Sequence, residues 1–295
     1  MRVIYDVFRD GLDAINAAAS QLAKAREQVS TGRRLNAASD DPLGLRQAVG
    51  EHATLGAVDA YSRSRDSAAA RLAVADSVLS TITEKLTSAI VTGTSAQGSA
   101  ATAASRAAAA EQVRSIRDSL VADFNTTFND SYIFSGTAAG TRAFAQVAGV
   151  WTYQGNADTT EVEVERGRLV AVSFNGQAIT QGADAKDVFA ALDDLVTAIE
   201  AGDSAAMASE IDGLERAFDR TQRALGSLGA DVAGLDEART RLSALRVAAE
   251  ARRSALEDAN MAEAVTRLSR ADTAYQAALS AVSTAERRSL LDYLR

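Results

Sequence analysis

The chain lacks cysteine and contains a single proline among its 295 residues. Without cysteine it can form no disulfide and offers no thiolate ligand to a metal. One proline leaves long helices unbroken, because a proline inside a helix removes a backbone hydrogen bond. Aromatic residues make up only 5% of the sequence, and alanine supplies much of the 47% that is hydrophobic. Since alanine is the strongest helix former and has a small side chain, this composition indicates long helices packed closely side by side.

The sequence also lacks the charge and hydropathy of a nucleic-acid-binding or membrane-inserted protein. Its net charge is −8, whereas nucleic-acid-binding domains are usually basic. No run approaches the roughly 20 apolar residues that a membrane-spanning helix needs. The first ten residues contain early acidic side chains and no apolar core, so we expect no cleavable secretory signal.

Residues that could carry chemistry are few. His52 is the only histidine, and it lies in a predicted helix without cysteine or clustered carboxylates at ligand spacing. Asp40 and Asp41 precede Pro42, which is the pattern of a helix N-terminus and not of a divalent-ion site. No nucleophile–base pair and no glycine-rich phosphate loop is present. The sequence therefore predicts no enzyme activity, no catalytic residues, no cofactor and no bound metal.

Apolar residues of the N-terminal segment recur at alternating steps of four and three, as they do along one stripe of a helix. The first helix is predicted to end at Thr31-Gly32, because glycine readily takes the left-handed cap conformation. A second helix should run from Pro42 to about Gly93, and a third should cover roughly 100–128. The N-terminal stripe, interrupted only by Arg26, consists of Phe8, Leu12, Ile15, Ala19, Leu22 and Val29.

The periodicity changes after Phe128. Strand patterns follow, separated by turn residues such as Asn175-Gly176, and together they predict a small β-rich insert over residues 131–183. The predicted strands are Tyr132–Gly136, Val150–Tyr153, Glu161–Glu165 and Arg168–Phe174.

Helical spacing returns in the C-terminal half. One helix is predicted from Asp187 to about Gly202, and a long one covers 205–255. The final segment resumes the alternating steps and ends in a leucine-rich tail. Its stripe consists of Met261, Val265, Leu268, Asp272, Tyr275, Leu279 and Val282, and the tail contains Leu290, Leu291 and Leu294.

These patterns predict a mainly α fold, an elongated rod in which long N- and C-terminal helices form a coiled-coil-like bundle around a small central β-rich insert. The first helix should pair with the last, and the second and third with the 205–255 helix. Three domains are expected: 1–38 plus 256–295 for assembly, 39–130 plus 184–255 as a helical rod, and 131–183 as the insert.

The terminal seams are rich in alanine, and a helix pair with so little apolar surface is marginal in water. We therefore expect identical neighbouring copies to stabilise it. The predicted assembly residues are Phe8, Leu12, Ile15, Leu22, Val29, Met261, Val265, Leu268, Leu279, Val282, Leu290, Leu291 and Leu294.

Four motifs in order resemble those of the bacterial flagellin superfamily. They are Gln28–Leu35 followed by Ser39–Pro42, then Tyr132–Gly136, Asp258–Leu268 and Ser289–Leu294. The resemblance implies a helical lattice of identical subunits with the terminal helices at its inner tube. It also implies unfolded export through the flagellum's own type III pathway, a cytoplasmic export chaperone on the C-terminal helix, and an extracellular location in the flagellum.

Two details indicate a particular role within this superfamily. Filament flagellins usually have Ser-Ser-Gly and Asp-Asp-Ala where this chain has Thr31-Gly32 and Asp41-Pro42. The motifs of this chain look more like those of the adaptor that joins hook to filament. The partners implied for such an adaptor are copies of itself, a neighbouring hook-associated protein and flagellin. A filament flagellin remains an alternative. A coiled-coil signalling rod is a third, although the central β-rich insert and the missing transmembrane segment argue against it.

Overall fold

A computed structural model describes the backbone of residues 2–98 and 101–293, and the side chains of 9–98 and 101–284. The elements, in chain order, are long helices separated in the middle of the chain by short strands. They are α1 (Arg2–Thr31), α2 (Pro42–Ala96), α3 (Ala103–Phe124), β1 (Thr127–Phe128), β2 (Ser131–Tyr132), β3 (Phe144–Val147), β4 (Val150–Tyr153), β5 (Glu161–Glu165), β6 (Arg168–Ala171), α4 (Gly176–Thr180), α5 (Val188–Ala201), α6 (Ser204–Glu257) and α7 (Met261–Tyr293). The mainly α fold with a small central β-rich segment is confirmed.

Several predicted helix ends are confirmed because local caps set them. Gly32 follows α1 with a φ of 68°, in the left-handed region. A carboxylate oxygen of Asp41 accepts a hydrogen bond from the Gly44 N–H at 2.9 Å, which caps the start of α2. Asp187 caps α5 in the same way, and Gly202 ends α5 with a φ of 71°.

Helix α3 ends at Phe124, four residues before the predicted end. The side chain of Asn125 accepts a hydrogen bond from the Phe144 N–H and donates one to the Phe144 carbonyl, both at 2.9 Å. This pairing with a distant strand turns the chain out of the helix. Strand β1 then occupies the end of the predicted helix.

The strands form three separate antiparallel hairpins, β1–β2, β3–β4 and β5–β6. Of the predicted run Tyr132–Gly136, only Tyr132 lies in a strand, and the run beginning at Arg168 is a strand only as far as Ala171. Strand β3 and the short helix α4 were not predicted. In the β3–β4 hairpin, Phe144 lies opposite Tyr153.

Residues 59–243 form one compact unit. Its main core joins side chains from α2, α3, α5 and α6 to those of the hairpins, and α3 packs most closely against α5. The sequence had indicated α6 as the neighbour of α3. Phe124, Phe144 and Phe189 are almost fully buried, with ring centroids 4.9–5.9 Å apart. Edge-to-face geometry of this kind adds to the stabilisation from burial.

Residues 1–58 and 244–295 form the second compact unit. It contains α1, α7, the first part of α2 and the last part of α6. Helix α1 packs against α7, as predicted. The three-domain division, with an assembly domain at 1–38 and 256–295, stays a prediction.

Candidate assembly surface

Helices α1 and α7 run antiparallel. The side chain of Val282 lies against Gly11 near one end of the pair. Further along, Arg26 on α1 and Asp272 on α7 form an ion pair at 3.9 Å. Just after the end of α1 and just before the start of α7, Arg33 and Asp258 form an isolated antiparallel β-bridge. Residue numbers thus rise along α1 while they fall along α7.

The seam between the two helices shares every second position with the predicted stripe and differs from it by one residue at the positions between. In α1 the best-covered apolar side chains include Ala25 in addition to the predicted Leu22. In α7 the buried residue near the start is Ala264, whereas the neighbouring Val265 is exposed. One series of covered positions again alternates in steps of four and three, and it consists of Gly11, Ile15, Ala18, Leu22, Ala25 and Val29 in α1 and Ala264, Leu268, Ala271, Tyr275, Ala278 and Val282 in α7. Ala19, Gln28 and Asp272 are also covered, beside this series.

Small residues at alternate seam positions let the two backbones approach closely. A Cβ atom built on Gly11 would lie 2.9 Å from a methyl carbon of Val282. No ordinary side-chain contact is that short, so this position requires glycine unless Val282 moves. The alanines at the other seam positions extend the close approach along the pair.

The residues displaced from the seam form an exposed apolar flank, defined here as Leu12, Met261, Val265 and Leu279. Their side chains are 42–52% exposed. At about 100° per residue, the three α7 members lie along one side of their helix. Arg26 and Asp272 meet on the same side, which places Leu12 of α1 there as well. The four predicted residues therefore lie on the surface and not in the intramolecular seam.

Apolar side chains are also exposed where α2 and α6 enter this unit. Leu43 and Val49 on α2 and Leu245 and Val247 on α6 are each more than 40% exposed. With the apolar flank, eight of the twelve large hydrophobic residues exposed in the described part of the chain belong to the unit of residues 1–58 and 244–295. This distribution makes the unit the candidate location of an interaction surface.

A set of backbone hydrogen bonds joins the α1–α2 loop to the α6–α7 linker. The Arg34 N–H donates to the Glu257 carbonyl at 2.7 Å, and the Ala259 N–H donates to the Gly32 carbonyl at 2.8 Å. The Arg34 guanidinium also donates to the Leu256 carbonyl at 2.8 Å. These hydrogen bonds therefore hold the N- and C-terminal segments together at the end of the α1–α7 pair where α1 ends and α7 begins.

Asp40 organises the same loop. Its carboxylate accepts hydrogen bonds from the backbone N–H groups of Asn36 and Ala37, each at 3.1 Å, and its other oxygen lies 2.7 Å from the Lys24 ammonium. The hydrogen bond from Lys24, together with those two backbone donors, lowers the pKa of Asp40 to about 2. The backbone N–H of Gly44 and then the Arg34 guanidinium lower the pKa of Asp41. The adjacent acids thus fix a loop and cap a helix.

His52 contacts Glu257, with its Nε2 atom 2.7 Å from a carboxylate oxygen. Glu257 is buried at the end of α6, whereas His52 is exposed on α2. The contact ties α2 to α6 inside the unit. Within the described residues, no three His, Cys, Asp or Glu side chains are placed to hold a metal ion.

The remaining predicted assembly residues divide into two groups. Ile15, Leu22, Val29, Leu268 and Val282 line the seam, at half-buried or buried positions. The side chains of Phe8, Leu290, Leu291 and Leu294 lie outside the described residues. Among the helices that the structure does describe, none combines the length and hydropathy needed to cross a membrane.

Comparison with known proteins identifies the family to which this fold belongs. The N-terminal helical region of bacterial flagellin matches residues 11–139, and the C-terminal helical region matches residues 211–294. Flagellar hook-associated protein 3 of Escherichia coli (strain K12) is 27% identical to this chain over 232 residues, which are 74% of this chain and 72% of that protein.

Solved structures share the fold. The crystal structure of FlgL from Xanthomonas campestris has a TM-score of 0.62 at 17% identity, and the match covers 68% of this chain and 98% of that one. The flagellar junction protein FlgL from Legionella pneumophila also has a TM-score of 0.62, at 12% identity over 72% of this chain and 100% of that one. Since the two family regions together cover more than two thirds of the sequence and the fold agrees, the chain belongs to the bacterial flagellin family.

Proposed function

We propose that this chain is a structural subunit of the bacterial flagellum that forms an adaptor between hook and filament. Its relatives in sequence are flagellar hook-associated protein 3 of two bacteria, and one relative in structure is a flagellar junction protein. These names favour the adaptor over a filament flagellin. The motifs at Thr31-Gly32 and Asp41-Pro42 agree with that choice.

The observation that carries this proposal is the surface of the unit formed by the two ends of the chain. It presents eight of the twelve large hydrophobic residues exposed in the described part of the chain, and four of the eight lie on the paired helices α1 and α7. An apolar flank on an alanine-rich helix pair suits burial against neighbouring subunits, because the pair alone covers few large side chains. The partners are further copies of this chain, a neighbouring hook-associated protein and flagellin.

Export precedes assembly in this proposal. The chain leaves the cytoplasm unfolded through the flagellar type III pathway and takes its place outside the cell. Before export a chaperone covers α7, including the exposed Met261, Val265 and Leu279. Because neighbouring subunits cover the same residues later, chaperone and subunits exclude each other. Truncation after Glu257 should abolish chaperone binding, and normal binding by the truncated chain would contradict this assignment.

The deletion phenotype tests the adaptor role directly. A cell without this chain should keep its hooks and secrete flagellin into the medium, since flagellin then has nothing to assemble on. Copy number is a second measurement, because an adaptor is present in few copies per flagellum and a filament flagellin in thousands. Full-length filaments in the deletion strain, or long filaments grown from this chain alone, would establish the flagellin alternative.

The C-terminal tail is expected to contribute to the same contacts. Replacing Leu290, Leu291 and Leu294 together by alanine should reproduce the deletion phenotype. Each leucine-to-alanine change removes about 2–5 kcal/mol where the side chain is buried in the assembly. Secretion of the variant at wild-type levels is the control that separates an assembly defect from an export defect.

A further inference from the structure

The α1–α7 pair has a second flank, on the side opposite the apolar one, and this flank is concave. A groove with a volume of about 470 Å³ runs along it between the two helices. At about 100° per residue, the groove residues of each helix lie on the other side of the seam from the apolar flank. The groove is lined by Gln21, Lys24, Ala25 and Gln28 from α1 and by Arg267, Arg270, Ala271 and Ala274 from α7.

Small side chains leave the middle of this groove open. Ala25, Ala271 and Ala274 present only methyl groups there, and Ala274 is exposed. The long basic side chains add their carbon stems to the walls, because their charged ends can reach water or a carboxylate. The Lys24 ammonium, for example, lies 2.7 Å from Asp40 in the following loop. The groove therefore offers mainly carbon atoms to a partner.

On the apolar flank, Leu12 and Leu279 lie at nearly the same level of the two helices. Gly11 contacts Val282, so Leu12 is level with residue 281 of α7, about 3 Å along the helix from Leu279. Their side chains are 42% and 43% exposed. These two residues, called here the leucine pair, form an apolar projection to which both helices contribute.

We propose that the leucine pair of one copy docks into the alanine-lined groove of a neighbouring copy of this chain. The contact rests on the proposed function, in which identical copies stand side by side in a helical array. Copies related by a rotation and a shift along one axis present opposite flanks to each other, so the interface is heterologous and repeats from copy to copy. The apolar flank and the groove are such opposite flanks of one helix pair.

The rise of the helix gives the register of the contact. Leu279 lies five residues beyond Ala274 and eight beyond Ala271, which is about 7.5–12 Å along α7. A shift of about 10 Å between parallel copies therefore brings Leu279 level with these alanines and Leu12 close to Gln21 at the end of the groove. Large side chains then fill the space that the small ones leave, and burial of their apolar surface stabilises the contact.

The natural absence of cysteine allows a direct test. The full-length double variant Leu279→Cys with Ala274→Cys is expressed in a strain that lacks the native chain, and its isolated flagella are oxidised. A disulfide within one copy is excluded, because the rise of about 7.5 Å over five residues exceeds the roughly 4.4–6.8 Å between the Cα atoms of bonded cysteines. The expected result is a ladder of covalently linked copies on a non-reducing gel.

The matched control is Ser280→Cys with Ala274→Cys, which moves one cysteine by a single residue and about 100° round α7, away from the apolar flank. It should give no ladder. Absence of linked copies from flagella that contain the first double variant would overturn the proposal. Linkage through Val265→Cys with Ala274→Cys instead would overturn the register. A product linked to a different protein would overturn the choice of a second copy as the partner.

An exchange of side-chain volumes gives an independent readout. Ala274→Leu fills the groove and should cause loss of attached filaments, while the free chain keeps its stability because Ala274 is exposed. Leu279→Ala in the same chain makes room again, so the double variant should recover filaments. Equal loss in the double variant would contradict the docking. A chain that never enters the flagellum would instead refute the adaptor role, so the two failures are distinguishable.

Discussion

Leu12 and Leu22 are chemically identical residues on one helix, and the structure gives them different roles. Leu22 is 5% exposed in the α1–α7 seam, whereas Leu12 is 42% exposed on the apolar flank. Replacing a buried leucine by alanine costs about 2–5 kcal/mol. We therefore expect Leu22→Ala to destabilise the helix pair in the free chain, and Leu12→Ala to change its stability by about 1 kcal/mol or less.

In the assembled state Leu12 is expected to contribute to stability as well. Full burial of a leucine side chain contributes about 1.5–3 kcal/mol, so covering the exposed 42% of Leu12 adds about 0.6–1.3 kcal/mol for each copy. Every copy in the layer loses up to this amount when Leu12 becomes alanine. Leu12→Ala should thus weaken assembly while the free chain keeps its stability. The volume-conserving change Leu12→Met is the matched control and should assemble normally.

Hydrogen exchange of α1 amides in the free chain is the assay for the first effect. A loss of 2 kcal/mol corresponds to roughly 30-fold faster exchange, since about 1.36 kcal/mol is a factor of ten. Amides of α5, in the other unit, should not change with Leu22→Ala. If Leu12→Ala accelerated exchange in α1 as strongly as Leu22→Ala, the assignment of seam and flank would be wrong.

Three further predictions concern the loop, the insert and the core. Asp40 has a pKa of about 2, below its ordinary value of 3.8, so its stabilising effect is present above about pH 4 and is lost as the pH falls through about 2. Asp40→Asn should therefore lower the urea midpoint more at pH 7 than at pH 2. Gly136→Ala should destabilise the hairpin region. A φ of 67° alone costs a non-glycine residue about 1–3 kcal/mol, and a Cβ atom would also lie 2.5 Å from the Asn156 carbonyl oxygen. A wild-type thermal midpoint would refute this. Phe189→Ala should cost about 3–5 kcal/mol in urea unfolding, since the ring is almost fully buried among other aromatic rings.

Local chemistry explains which parts of the fold could be predicted from the sequence. The end of α1 at Thr31, the start of α2 at Pro42 and the cap at Asp187 depend on residues within one helical turn, so they can be read directly. Strand β3 could not be identified in this way. Its pairing with β4 and its contact with Asn125 join segments that are distant in sequence.

The candidate site was predicted in part. The apolar residues of the terminal helices were correctly placed on helices that pair, but the sequence could not say which of them face the partner helix. Two overlapping stripes with the same spacing exist in α7, and they share Leu268, Tyr275 and Val282. One continues through large side chains such as Val265 and the other through alanines. Large side chains were predicted to form the seam, and the structure uses the alanine stripe.

The sequence by itself determined the helical class, the limits of the long helices and the absence of disulfides, because each depends on composition or on contacts within a few residues. Tertiary structure alone decided that α1 and α7 approach through Gly11 and the seam alanines. That close approach turns Leu12, Val265 and Leu279 outwards. The physical reason is that an alanine-rich helix offers two nearly equivalent faces. Only the geometry of the partner helix determines which face is covered and which remains exposed for assembly.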